Sequence, residues 1–255
     1  MTTMTEAAPL STTPRPLTRR IGTIVRLLFA NPWTAIYTPL MILGVILLMN
    51  IAIWSIVRAS IPPEGDMDSS INGGVSFLFI YMLVVAVQSM NQAFPLALGY
   101  GSTRRDFVAG FGVFALILSL GYSLFLLAAW SVERATGGWG VGLTFFGTYE
   151  LWQAQWWEGF ALSLLAFLLF FAIGAATAAV YVRWKAGGMY VFWGGLVFVG
   201  IGGAALATWL DAWPQVGAFF AWAGLVGGAA WSLIVTALCA MAAWLILRRA
   251  TPSGG

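Results

Sequence analysis

At 255 residues, with 60% hydrophobic and only 8% charged side chains, the chain has far less charge than the roughly 25% usual in soluble domains. An ordinary soluble fold is excluded. The formal net charge of +3 says nothing of nucleic acid, because in a membrane chain it is the position of the charges that carries information. With no His and a single Cys, Cys239, no catalytic imidazole, His-ligated metal or intrachain disulfide is available.

Taken in order, residues 1–16 are rich in Thr, Pro and Ala, with little to bury, and are expected to form a disordered cytoplasmic tail. Residues 17–31 have helical periodicity. Leu17, Ile21, Ile24, Val25 and Leu28 fall on one face, with Arg19, Gly22, Thr23 and Arg26 opposite and Arg20 at the edge, the pattern of an amphipathic helix lying in the membrane interface. Residues 32–249 then hold six apolar runs of about the 20 residues needed to cross a bilayer: 34–57, 74–94, 107–131, 157–181, 189–209 and 225–247. Longer loops are expected at 58–73 and 132–156, a short basic one at 182–188, and a connection broken at Pro214 over 210–224. Residues 250–255 form a second cytoplasmic tail.

The basic residues orient this all-α membrane fold. With both termini in the cytoplasm, Arg15, Arg19, Arg20, Arg26, Arg104, Arg105, Arg183, Lys185, Arg248 and Arg249 lie inside, and only Arg58 and Arg134 lie outside. The reverse topology would invert that partition. Trp residues at the run ends, such as Trp33, Trp130, Trp156, Trp157, Trp184 and Trp209, fit an interfacial aromatic belt.

No catalytic, cofactor or metal site is legible. The apolar runs lack ionisable side chains in their interiors, Glu158 at the edge of the fourth being the nearest, so proton or ion coupling has no evident carrier. The two halves share no visible repeat, which weighs against an inverted-repeat carrier. The only Lys is Lys185, and no Gly-x-x-x-x-Gly-Lys-Ser/Thr phosphate cradle exists, so any ATP-driven motor belongs to another polypeptide. Small residues (Gly174, Ala175, Ala178 and Ala179 in the fourth run, Gly194, Gly195, Gly200, Gly202, Gly203 and Ala204 in the fifth) permit close helix contacts. Gln88, Asn91 and Gln92, with Ser119, Tyr122 and Ser123, are candidates to line a polar path, or equally to be hydrogen-bond glue between helices.

The best-specified loop separates the second and third runs. Pro95 is expected to break the incoming helix, Gly99 and Gly101 to supply positive φ, and Phe94, Leu96 and Leu98 to remain as apolar side chains without a span to bury them. Thr103 and Asp106 have capping-box spacing before the next run. Arg104 and Arg105 sit in its first turn against the helix dipole, so lipid phosphates or an acidic partner must favour them there. The run Phe94-Pro95-Leu96-Ala97-Leu98-Gly99, continuing through Thr103-Arg104-Arg105 to Phe107, resembles the loop between the second and third membrane helices of bacterial ABC-2 type permease subunits. That resemblance implies a half-transporter in the cell membrane: a cytosolic ATP-binding cassette ATPase docking at 94–105, a second permease chain, identical or homologous, and most often export. It also makes the 210–224 connection short for the family's re-entrant hairpin. A non-transporting membrane scaffold or regulatory protein, and an ion-coupled secondary carrier, are the alternatives.

Overall fold

Residues 16–60, 74–147 and 155–248 are described by the computed structural model of this chain, and all of their regular structure is helical. The tails and loop segments 1–15, 61–73, 148–154 and 249–255, with Glu6, Arg15, Glu64, Asp66, Asp68, Glu150, Trp152 and Arg249, lie outside the described residues. In chain order come α1 (Leu17–Leu28), a π-helical turn (Trp33–Tyr37) leading into α2 (Thr38–Ser60), α3 (Ser76–Gly99) and α4 (Arg104–Ala135). A second π-helical turn (Gly138–Gly142), α5 (Trp156–Trp209), α6 (Trp213–Ala230) and α7 (Ser232–Leu247) follow. Five helical stretches among the described residues are long and apolar enough to cross a membrane: Trp33–Ser60, Ser76–Gly99, Arg104–Ala135, Trp156–Trp209 and Trp213–Leu247.

Two of the expected connections are mostly helical. The basic loop at 182–188 is a single break inside α5, where Lys185 takes φ 56 and ψ −148 and the helix resumes at once. A straight helix of 54 residues would be about 80 Å long at 1.5 Å per residue, against a hydrocarbon core of about 30 Å, so this break is where the direction must change. The connection around 210–224 is likewise helical. Pro214 lies in the first turn of α6, where its missing N–H costs no hydrogen bond, and the irregular residue is Gly224 at φ 68. The turn before α6 is closed by Ala212 N–H to Ala207 C=O (2.9 Å) and Asp211 N–H to Thr208 C=O (3.3 Å), with Asp211 at φ 48.

The core is built on one face of α4. Phe107, Phe111, Phe114, Leu118, Tyr122 and Leu126 recur at helical spacing and are all buried. Phe107 packs edge-on to Phe94 of α3 at 5.2 Å, Phe111 and Phe114 meet Phe171 of α5 at 5.2 and 5.9 Å, and Phe114 meets Phe29 at 4.8 Å. Between α3 and α5 the backbones nearly touch: a Cβ at Gly174 would stand 2.5 Å from the Leu83 carbonyl oxygen. This is the close approach that small residues allow, and Ala175, Ala178 and Ala179 beyond it are buried too.

The amphipathic pattern of α1 is present, but its centre is spent on protein rather than lipid. Ile24 is 1% exposed and sits over Gly110 of α4, where a Cβ would come within 2.6 Å of the isoleucine; Leu28 is buried too. Leu17 stays exposed and Ile21 and Val25 half-buried, so only the flank of the stripe is left uncovered.

The start of α2 shows how a membrane helix meets its backbone hydrogen bonds. Pro39 has no N–H to offer the Ala35 carbonyl one turn back, and the π turn diverts Thr38 N–H to Trp33, which frees the Thr34 carbonyl. Two tyrosines answer. Tyr122 of α4 donates its hydroxyl to Ala35 C=O at 2.7 Å, and Tyr81 of α3 donates to Thr34 C=O at 3.2 Å.

Candidate functional site

The α3–α4 turn is tighter than its sequence suggests. Pro95 does not end α3: the helix runs through it to Gly99, because neighbouring packing holds the chain helical where one hydrogen bond is lost. The end comes from a paired cap, with Ser102 N–H donating to Ala97 C=O and Gly101 N–H to Leu98 C=O, both at 3.0 Å, and Gly101 at φ 78. A side chain at Gly101 would be strained in that left-handed backbone, while Gly99 is the last helical residue and needs no such freedom. Two residues later α4 begins. Thr103 is its N-cap and its hydroxyl accepts from Asp106 N–H at 3.2 Å.

The other half of the expected capping box is replaced by a tertiary contact. Buried Asp106 turns to Arg20 of α1, 2.5 Å away, an ion pair without the alignment of a hydrogen bond. Arg104 is also held within the chain. Its guanidinium donates to the Arg248 carbonyl at 2.8 Å and reaches that of Leu247 at 3.5 Å, where α7 ends. The unfavourable position at the start of α4 is therefore offset by a favourable one at the negative C-terminus of α7.

The expected apolar knob divides in two. Phe94 is 1% exposed, locked against Phe107, and Leu98 is half-buried against the same core, so neither is a free side chain of a loop. Their burial follows from the helix continuing through Pro95, which keeps positions 94, 97 and 98 on the inner face. Pro95, Leu96 (52% exposed), Tyr100 (80% exposed) and Arg105 point outward instead. Tyr100 escaped sequence reasoning; its signal is an aromatic residue at the cap of a helix whose preceding turn already fills the core.

The polar residues near this turn line different cavities. Gln88 and Gln92 are exposed and, with Ser89, Asn31, Thr34 and Leu96, border a groove of about 220 Å³ between α3 and the α1–α2 connection. Asn91 is half-buried, its side-chain oxygen enclosed. Ser119, Tyr122 and Ser123 face the interior of the bundle, and Tyr122 lines a separate apolar groove of about 240 Å³ with Phe29, Leu40 and Phe125.

Contacts gather several basic residues at one end. Arg20 meets Asp106, Arg104 meets the end of α7, and Ile246 of α7 lines one cavity with Trp184, between Arg183 and Lys185. The opposite end of α4 carries Glu133, an acid expected outside but not singled out as a site. Its buried carboxylate accepts from Trp139 Nε1 (2.9 Å) and from the backbone N–H groups of Phe145 (3.0 Å), Phe146 (2.9 Å) and Gly147 (2.9 Å). Gly138 must be glycine for this fold-back, since a Cβ there would lie 2.7 Å from Leu143 N. Arg58 at the end of α2 donates to the Val141 carbonyl in the same loop. Among the described residues no cluster of ligating side chains could hold a metal ion. No family model, curated protein or solved structure matches this chain, so the resemblance at 94–107 stands on those residues alone.

Proposed function

We propose that this chain is the membrane-spanning permease subunit of an ABC-2 type transporter, an exporter of the cell membrane driven by a separate cytosolic ATPase. In this reading α5 crosses twice, hinged at Lys185, which gives six crossings with both termini in the cytoplasm and the basic end of the bundle inside. A second permease chain lies against the half that follows Lys185. The absence of neighbours within 4 Å of Gly194, Gly195, Gly200, Gly202 and Gly203 supports such a contact.

The observation that carries the ATPase contact is the exposed tip of the α3–α4 turn. Tyr100 and Leu96 project from an element fixed by two backbone caps and the Phe94–Phe107 contact, so docking would order little that is not already rigid. Aromatic anchors of this kind dominate interface energies, and Arg105 beside them can steer an acidic partner.

The test is affinity purification of the tagged chain from its native membranes in mild detergent, with ATP hydrolysis assayed in the eluate. The wild-type chain should bring down an ATPase. Leu96→Asp with Tyr100→Ala should lose about 2 kcal/mol or more of the contact, a drop of about thirtyfold in retained ATPase, at unchanged expression. Phe94→Ala should instead lower the yield of folded chain, because it empties the core. Retention of the ATPase by the outward-facing double variant, or its absence from the wild-type eluate, would refute the coupling role.

A further inference from the structure

Where α5 breaks at Lys185 it opens a cavity of about 700 Å³ between its own two halves and α7. Ala176, Val180, Trp184, Gly188, Ala242 and Ile246 line it, all without a charged or hydrogen-bonding group except the indole of Trp184. Such a space has too few polar partners to hold ordered water, and suits hydrocarbon. The residues next to Trp184 in the chain are of the opposite character. Arg183 and Lys185 flank Trp184 and are exposed, their cations lying over aromatic rings of their own helix, Arg183 4.6 Å from the Trp184 centroid and Lys185 5.9 Å from that of Tyr181. Arg248 follows Ile246 closely on the α7 side and is also exposed.

Among the described residues these cations meet no carboxylate. Among the described residues the one acid at this end of the bundle is Asp106, and it is already buried against Arg20. Charge beside the lining residue Trp184 therefore calls for an anion from outside the chain, and the open apolar groove next to it calls for an alkyl chain attached to that anion. The break creates both requirements at once: Lys185 holds a left-handed backbone that side chains rarely adopt, and Gly188 is pressed so close to Trp184 that a Cβ there would overlap the tryptophan side chain.

We propose that the fold-back of α5 is a binding site for one anionic phospholipid, its phosphate held by Arg183 and Lys185 with Arg248 at the edge, and an acyl chain inserted beside Ala176, Gly188 and Ala242. Basic pockets between membrane helices bind anionic headgroups in this way. The site requires only that the chain lies in a bilayer and is independent of the ATPase contact proposed above.

Native mass spectrometry of the purified full chain, titrated with phosphatidylglycerol or with phosphatidylcholine of the same acyl chains, tests it. The wild type should retain one phosphatidylglycerol at least tenfold more strongly than phosphatidylcholine. Arg183→Gln with Lys185→Gln should bring the two lipids to near parity, whereas Arg26→Gln, a cation on α1, should leave the preference intact. Ala242→Phe should fill the chamber and lower phosphatidylglycerol retention about tenfold; should that variant fail to fold, the charge variants alone decide. Equal retention of both lipids by the wild type would overturn the site. So would an equal loss with Arg26→Gln, displacement of the lipid by inorganic phosphate, or a wild-type dimer that excludes lipid from the groove and is broken by Ala242→Phe.

Discussion

The two halves of α5 are alike in composition and opposite in environment. Before Lys185, Gly174, Ala175, Ala178 and Ala179 are buried, Gly174 against α3, whose Leu83 carbonyl and Ala86 methyl would clash with any side chain there. After it, Gly194, Gly195, Gly200, Gly202 and Gly203 face open space, and Val191, Val197, Phe198, Val199 and Ile201 around them are exposed. A small residue in a membrane helix thus licenses close contact without saying with what. In the first half the partner is this chain, through helices wound around the aromatic face of α4. In the second, none of the described residues covers these positions, and lipid or another polypeptide can.

The largest expected effect sharpens that contrast directly. Gly174→Leu meets backbone rather than a movable side chain, so it should cost about 3 kcal/mol, at the upper end of overpacking, while Gly203→Leu should change the stability of the isolated chain by under about 0.5 kcal/mol. Thermal unfolding of both variants in detergent measures this. Equal destabilisation would mean that the exposed half packs within the chain after all. If the second half contacts a second copy of this chain or a homologue, Gly203→Leu should still weaken self-association or pairing in a bilayer, seen by cross-linking.

Next in size is the clamp at the far end of the packed half. Glu133→Gln replaces an acceptor of four N–H groups by an amide that accepts at one atom only, and should cost about 2 kcal/mol by stranding buried donors. The loop should open before the bundle does. Cysteine placed at 141 or 145 should become labelled faster in this variant, with the helical signal unchanged; unaltered labelling would reduce Glu133 to a passive acid at a helix end.

The smallest effect probes the junction between α2 and the core. Tyr122→Phe should cost about 1 kcal/mol, since it leaves the Ala35 carbonyl without a donor. Pro39→Ala restores a backbone N–H at the position that lacks one. In that background the tyrosine hydroxyl should matter less, by a coupling of about 0.5 kcal/mol or more in a double-mutant cycle. Strict additivity would show that the hydroxyl is not compensating for the proline.

Much of this protein is set by local composition. Long apolar runs, the confinement of arginines to their ends and the amphipathic spacing of 17–28 are properties of short windows, so the sequence determines that the chain is helical and suited to a bilayer, and where its polar punctuation lies. Thr103 as an N-cap and Gly101 as a left-handed residue are local in the same sense. What only the tertiary structure decided depends on residues far apart in the chain. Pro95 stays within a helix because Phe94 and Ala97 are held in the core on either side of it; Arg104 is satisfied by carbonyls more than 140 positions away; Asp106 prefers Arg20 to its own cap. A hydrophobic window specifies that a side chain must leave water. It carries no information on whether protein, a second chain or lipid receives it, because in a membrane all three satisfy the same requirement.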